Sequence, residues 1–198
     1  MARTRAKDHD AKRAEIMKVA ARTFADAGYH GASMSGLARD CGISKALIYH
    51  YYASKEALLF DIIEGHLSEL LEAVEASDDP DADPQTRLRG LVAALLDAYR
   101  DADAEHKVQI NAIAALPDED KAKLTALERR LVELFSEPIR ALNPDLFDGK
   151  PFLKPVTMSL FGMLNWAFMW FRDNGPVSRE EYARIATELL VGGVRSIR

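Results

Sequence analysis

The chain has only one cysteine, Cys41, among its 198 residues. A single thiol excludes an intramolecular disulfide framework and any metal site built from several cysteines. The sequence also lacks a glycine-rich phosphate loop, a His-Glu-x-x-His pair and a nucleophile elbow, and its five histidines are scattered. The three missing motifs are typical of nucleotide-binding proteins, zinc proteases and serine hydrolases, respectively. Their absence argues against an enzyme, and we expect no catalytic residue, no metal and no cofactor.

The sequence also lacks an apolar run long enough to span a membrane. The most apolar stretch, residues 156–171, is 16 residues long and contains Thr157, Ser159 and Asn165. A membrane-spanning helix needs about 20 apolar residues, so this stretch predicts a buried helix instead. The basic start MARTRAKDHDAKR is followed by no apolar segment and does not resemble a secretory signal. We therefore expect a cytoplasmic protein without a membrane partner.

Charge is distributed unevenly along the chain. Residues 1–55 contain ten Lys or Arg and five Asp or Glu, whereas the remaining residues carry a net charge of −10. A basic first quarter ahead of an acidic remainder suggests that the first quarter binds a polyanion. Chance unevenness on a solvated surface would give the same numbers, so charge alone leaves both interpretations open.

Apolar residues recur at helical spacing through most of the chain, for example from Leu59 to Val74. The acidic, proline-bearing segment SDDPDADP (77–84) interrupts the pattern and predicts a linker. Pro138 is expected to kink or end a later helix, and residues 143–151 are expected to form a loop. Two final helices are predicted at 152–173 and 179–196, the second beginning at a capping box. No alternating pattern predicts a strand, so the fold class is all-α.

Residues 33–52 have the spacing of a helix-turn-helix. Ala38 is a small residue where two helices cross, Gly42 serves the turn, and Ile48 anchors the second helix. Leu37, Cys41 and Ile43 complete a small core, and Ser44 is a good N-cap. We expect Leu47, Ile48 and Tyr51 to face inward. The residues left facing outward are basic, small or aromatic and suit phosphates and base edges in a major groove: Lys45, Ala46, Tyr49 and His50.

The segment GISKALIYHYYASKEALL (42–59) resembles the DNA-binding signature of TetR-type transcriptional regulators. The matching positions are Gly42, Ser44, Ile48, Tyr49, Tyr51, Ser54, Lys55 and Leu58, with Phe24, Gly28, Tyr29, Leu37 and Ala38 upstream. Ala46 and Tyr52 depart from the pattern, where glycine and phenylalanine are usual. The resemblance implies an N-terminal three-helix headpiece with a basic arm (1–55), a helical ligand-binding and dimerisation domain (56–198), and about nine helices in all.

The resemblance also implies site residues for a homodimer that binds a double-stranded DNA operator. Ser33 and Ser35 would hold phosphates, and Lys55 would hold another. The recognition helix would contact DNA through Ser44, Lys45, Ala46, Leu47, Tyr49 and His50, whereas Tyr51 and Tyr52 would be mostly structural. The last two helices would form the dimer interface, with Phe161, Ile185, Leu189 and Gly193 as candidate contact residues.

Residues 164–193 resemble the subgroup of these regulators that responds to acyl-coenzyme A thioesters. The resemblance and the polar residues among apolar helices suggest an effector site formed by Asn111, Asn165, Trp166, Trp170 and Arg172; alternatively, the two tryptophans pack in the dimer interface. The predicted function is a repressor released from a palindromic operator by an acyl-coenzyme A or other hydrophobic acid. The alternative is a helical small-molecule or lipid-binding protein, or an enzyme, without DNA binding.

Overall fold

The computed structural model describes residues 2–197, with side chains from His9 onward. Within this range the chain forms α-helices and two short 3-10 turns, and it forms no strand, which confirms the predicted all-α class. No helix in the described range is both long enough and apolar enough to cross a membrane. The helices are α1 (Ala2–Ala27), α2 (Met34–Asp40), α3 (Lys45–Tyr51), α4 (Lys55–Ser77), α5 (Pro84–Ala98), α6 (Asp103–Ala112), α7 (Asp118–Leu142), α8 (Pro144–Phe147), α9 (Leu153–Asn165) and α10 (Arg179–Ser196).

The chain divides into two compact units, and the first contains the predicted helix-turn-helix. It consists of the described residues up to Leu67 together with residues 101–125. Within it, α1 packs against α2 and α6, and α2 packs against α3. The core is built from side chains that are almost fully buried, including Ile16, Phe24, Leu37, Ile48, Leu58, Leu59, Ile62 and Ile63. Cys41 is also buried there, as predicted.

The second unit consists of residues 68–100 and the described residues from Ala126 onward. Here α10 packs against α5 and α9, around a continuous core of buried apolar side chains. Phe161 belongs to that core, because only 4% of its surface is exposed and its ring meets that of Phe135 edge-on at 5.0 Å. Its side chain therefore packs within this unit, which does not support its predicted place in a dimer interface.

The structure places the ends of two helices that the sequence left open or set differently. The helix α7 continues through Pro138 to Leu142, although an interior proline removes one backbone hydrogen bond. Both Pro138 and the following Ile139 are buried, and this burial favours continuing the helix. In contrast, α9 ends at Asn165 and a 3-10 turn follows at Ala167–Met169. Apolar residues continue from the α-helix into the 3-10 turn, so the spacing of apolar residues alone could not locate the end of α9.

The first unit also contains a buried pair of histidines. His66 on α4 and His106 on α6 are each 3% exposed, with Nε2 of His66 3.5 Å from Nδ1 of His106. Burial, and secondarily the neighbouring His106, lowers the pKa of His66 from 6.5 to about 3. His66 is therefore neutral in the folded protein at physiological pH, as expected for a core histidine rather than a proton-transfer group.

This lowered pKa predicts that the protein loses stability in mild acid. The unfolded chain binds a proton at His66 below about pH 6.5, whereas the folded chain does not until about pH 3. The stabilising contribution is complete above pH 6.5 and is lost as the pH falls through that interval. Between pH 7.5 and pH 5 the free energy of unfolding should fall by about 2 kcal/mol.

Urea unfolding at several pH values measures this effect. The His66→Leu variant should show a flatter dependence between pH 7.5 and pH 5, whereas His50→Gln, a change at an exposed ring, should follow the parent protein. An equal pH dependence in the parent and in His66→Leu would contradict the assignment to His66.

Candidate DNA-binding interface

Each helix of the helix-turn-helix begins at a serine N-cap. The hydroxyl oxygen of Ser33 accepts a hydrogen bond from the Gly36 amide at 3.1 Å, and that of Ser44 accepts one from the Leu47 amide at 3.1 Å. Such caps satisfy backbone donors that a helix N-terminus leaves unpaired. Between the two helices, Gly42 has a φ of 65°, a left-handed conformation that glycine adopts without steric cost. The local sequence thereby sets the turn between α2 and α3.

The helix α3 separates one buried residue from a row of exposed ones. Ile48 is fully buried and anchors the helix to the core, as predicted. Leu47 is 37% exposed, so the expectation that it faces inward is wrong, although an exposed position suits its implied contact with DNA. The residues available to a partner molecule along α3 are Lys45, Ala46, Leu47, Tyr49 and His50.

Within the exposed row, Tyr49 and Lys45 lie close together. Tyr49 is 44% exposed, and the Lys45 ammonium lies 6.0 Å from its ring centroid. The ammonium and the tyrosine hydroxyl are two hydrogen-bonding groups that can donate to phosphate oxygens or base edges. The exposed hydroxyls of Ser33 and Ser35, at the start of α2, add donors of the type that binds DNA phosphates. The cap occupies Ser33 as an acceptor and leaves its hydrogen free to donate.

The neighbouring tyrosines stabilise the helix-turn-helix from inside, as predicted. Tyr52 is buried, and burial raises the pKa of its hydroxyl. The Arg13 guanidinium lies 6.0 Å from the Tyr52 ring centroid and pairs with Asp61, which links α1 to α4. Tyr51 is half-buried and stacks on His9 at 4.7 Å. Both rings therefore contact α1 or its partners rather than extending the exposed row.

Lys55 has a structural role that the sequence did not reveal. Its ammonium donates hydrogen bonds to the carbonyl oxygens of Tyr29 at 2.8 Å and Ala32 at 2.9 Å, and it lies 4.2 Å from the Tyr29 ring centroid. These contacts hold the loop between α1 and α2 against the first turn of α4. An ammonium has three donors, so one remains for the DNA phosphate that the family resemblance implies.

The Lys55→Ala variant should therefore lose both stability and DNA affinity. Two charge-assisted hydrogen bonds disappear, which should lower the free energy of unfolding by about 1–3 kcal/mol. If the third donor holds a phosphate, the slope of log affinity against log salt should fall by about one. Denaturation curves and a salt series of binding isotherms measure the two effects separately. An unchanged slope together with lower stability would leave Lys55 only its structural role.

The residues suggested for an effector site are divided between the two units. Asn111 is exposed on α6 in the first unit, and its amide donates to the Lys107 carbonyl at 2.9 Å. The other four belong to the second unit. The half-buried Asn165 accepts a hydrogen bond from the Tyr99 hydroxyl at 2.7 Å, so the protein itself provides the partner that the prediction assigned to a ligand. Arg172 is exposed and donates to the Phe171 carbonyl.

Exposed apolar side chains lie on α10 and at the end of α9. Leu189 is 63% exposed and Ile185 is 36% exposed on α10, while Trp166 is 58% exposed at the end of α9. A Cβ atom added at Gly162 or Gly193 would meet no atom within 4 Å. Trp170, 51% exposed, packs edge-on against Tyr182 at 5.0 Å. Apolar side chains interspersed with glycine allow the backbone of another molecule to approach closely.

The short capped helices, the glycine turn and the exposed row on α3 are the features of a helix-turn-helix DNA-binding protein. Residues 16–62 match the family model for bacterial regulatory proteins of the tetR family. Residues 81–194 match the tetracyclin repressor-like C-terminal domain. The chain therefore belongs to the TetR family of transcriptional regulators, and this membership confirms a DNA-binding regulator rather than an enzyme.

Individual relatives agree with this assignment. The chain is 32% identical to a TetR-family transcriptional regulator from Bordetella parapertussis 12822, with a TM-score of 0.85 over 94% of this chain and 97% of that one. It is 29% identical to the transcriptional repressor KstR2 of Rhodococcus jostii, over 93% of this chain and 92% of the relative. The chain is also 26% identical in sequence to AibR, whose crystal structure was solved in complex with isovaleryl coenzyme A and operator DNA. The TM-score between the two structures is 0.78, over 91% of this chain and 98% of that one.

Proposed function

We propose that the protein is a homodimeric repressor that binds a palindromic operator through α3. The observation that carries this proposal is the exposed row from Lys45 to His50 on a helix that Ile48 anchors and Ser44 caps. The row fits a major groove, where side chains can distinguish all four base pairs. Residues 1–55 would form the DNA-binding domain and residues 56–198 the regulatory domain of a cytoplasmic protein.

The exposed stripe on α10 supports dimerisation. The exposed half of this helix divides into an apolar stripe through Ile185, Leu189 and Gly193 and a charged stripe through Arg184 and Glu188, which form an ion pair. A two-fold axis would place each apolar stripe against its counterpart on the second protomer. Two recognition helices related in this way would contact half-sites roughly 34–36 Å apart, or at a related spacing.

For the effector, we propose an acyl-coenzyme A thioester or a related hydrophobic acid. One relative supports this chemistry, because AibR was crystallised with isovaleryl coenzyme A and operator DNA. KstR2, which resembles this chain over nearly its whole length, supports the action as a repressor. The exposed Trp166 and Trp170 then have two possible roles, in the dimer interface or against the effector. An inducer must bind the DNA-free conformation more tightly, by about 5.5 kcal/mol to reverse a 99:1 population.

A mobility-shift assay at fixed salt tests the proposal. DNA from upstream of the gene is titrated with the protein, and the complex is then titrated with acyl-coenzyme A thioesters of increasing chain length. We expect a retarded complex that competitor DNA of random sequence does not remove and that at least one thioester releases. If planar cations release the DNA and the thioesters do not, the effector class is wrong and the regulator remains. If no upstream fragment binds specifically, an operator near the gene is excluded.

A further inference from the structure

The first unit contains an open cleft. Among the predicted site residues, only Asn111 lines it. Its volume is about 610 Å³. One wall is the end of α1 and the loop that follows, with Phe24, Tyr29 and His30; the other is α6 and the 3-10 turn after it, with Lys107 and Asn111. This volume lies in the range of sites that hold small ligands.

The lining of the cleft is apolar with a cationic edge. The apolar lining residues are alanines, glycines, one valine and the rings of Phe24 and Tyr29, which meet edge-on at 5.3 Å. The polar groups are the Lys107 ammonium, the His30 imidazole and the Asn111 carboxamide, whose second N–H is not used by the Lys107 carbonyl. None of the described residues lining the cleft is acidic, although the whole chain has a net charge of −5.

One wall of the cleft is joined directly to the DNA-binding elements. The Tyr29 hydroxyl donates to the Glu56 carboxylate at 2.9 Å, and the Tyr29 carbonyl accepts from Lys55. Lys55 also holds the Ala32 carbonyl, which immediately precedes Ser33, the cap of α2. A ligand against Tyr29 and His30 therefore touches the loop from which α2 begins. A displacement of this loop would change the orientation of the helix-turn-helix.

We propose that this cleft binds an amphipathic anion, with its apolar body against Phe24 and Tyr29 and its anionic end at Lys107, His30 and Asn111. The two chemical sources of such an anion are a free carboxylate and an acyl-coenzyme A thioester. Binding of this anion lowers DNA affinity through the loop at residues 28–33. That consequence rests on the proposed function, whereas binding itself does not.

Calorimetric titration of the free protein tests the site with three matched probes: octanoate, octanamide and octylammonium, each below its micellar concentration. Octanoate should bind at least tenfold more tightly than the neutral amide, because the cationic edge forms charge-assisted hydrogen bonds only with the anion. In ¹H–¹⁵N spectra, octanoate should shift the amide signals of His30 and Asn111. Octanoyl-coenzyme A, titrated in parallel, distinguishes a thioester from a free acid. Octylammonium binding as tightly as octanoate would overturn the proposal.

Two variants locate the site independently. Lys107→Glu reverses the charge of an exposed side chain, and Ala114→Phe fills the cleft from an exposed position on its wall. Each should weaken octanoate binding at least tenfold, whereas Lys121→Glu, an equal charge change away from the cleft, should not. Unchanged binding by both cleft variants would overturn the proposal. If the parent protein binds octanoate in a cleft-dependent way but no acyl compound releases DNA, the effector part of the proposed function fails and the binding site stands.

Discussion

The Tyr49→Ala variant should bind its operator about ten- to a hundredfold more weakly than the parent protein, with an unchanged melting temperature. Tyr49 is exposed on α3 beside Lys45, so its removal leaves no cavity in the core. A lost base or phosphate contact in a DNA interface costs about 1–3 kcal/mol, and each 1.4 kcal/mol is a tenfold change in affinity. Both protomers of a dimer carry the substitution, so we expect a loss of affinity nearer a hundredfold than tenfold.

Three further variants separate the contributions to this result. Tyr49→Phe retains the ring and removes only the hydroxyl, so an intermediate loss would assign part of the contact to a hydrogen bond. Lys45→Ala should weaken specific operator binding to a similar extent. Lys121→Ala removes an equal charge outside the helix-turn-helix and should bind like the parent protein. Fluorescence anisotropy at matched salt measures all four affinities, because affinity for DNA depends steeply on salt. Unchanged affinity of both Tyr49→Ala and Lys45→Ala would contradict the assignment of α3 as the recognition helix.

The Leu189→Arg variant should be monomeric at micromolar concentration. Leu189 is the most exposed apolar residue of α10, and in a two-fold interface the substitution introduces two buried, unpaired charges. Breaking the packing at a buried interface position costs 2 kcal/mol or more, so the dimer dissociation constant should rise by at least about a hundredfold. Operator affinity should fall with it, because a monomer contacts only one half-site.

Sedimentation velocity measures the change in mass, and Ala126→Arg serves as the matched control. Ala126 is exposed on α7 in the same unit, so the same new side chain at that position should leave the dimer intact. Circular dichroism should show equal helix content in all three proteins, because neither position is buried. A Leu189→Arg protein that sediments as a dimer would place the interface elsewhere.

Much of the DNA-binding element could be predicted because its signals are local. Each signal depends only on residues a few positions away in the sequence. The signals are a serine before a helix, a glycine in a turn and an apolar residue at a fixed spacing. Ser44, Gly42 and Ile48 accordingly take the predicted cap, turn and anchor. The capping box of Ser178 and Glu181 at the start of α10 is confirmed for the same reason.

Interactions between distant segments could not be predicted in this way. Lys55 binds carbonyls 26 and 23 residues earlier, and Asn165 accepts from Tyr99, 66 residues away. A single sequence gives the residue types but not which backbone groups will lie beside them. Phe161 shows the same limit, because an apolar residue on an apolar helix suits a dimer interface and a core equally well. Only the packing of α9 assigns it to the core.

In α3, the residues that hold the helix in place are different from those that would determine operator specificity. Ile48 and the Ser44 cap attach the helix to the protein, whereas five of its seven residues are exposed. Substitutions at exposed positions usually change stability by less than about 0.5 kcal/mol. The operator preference of this protein can therefore diverge through changes at Lys45, Ala46 or Tyr49 with little effect on folding, and a grafted set of these side chains should redirect it to a different operator.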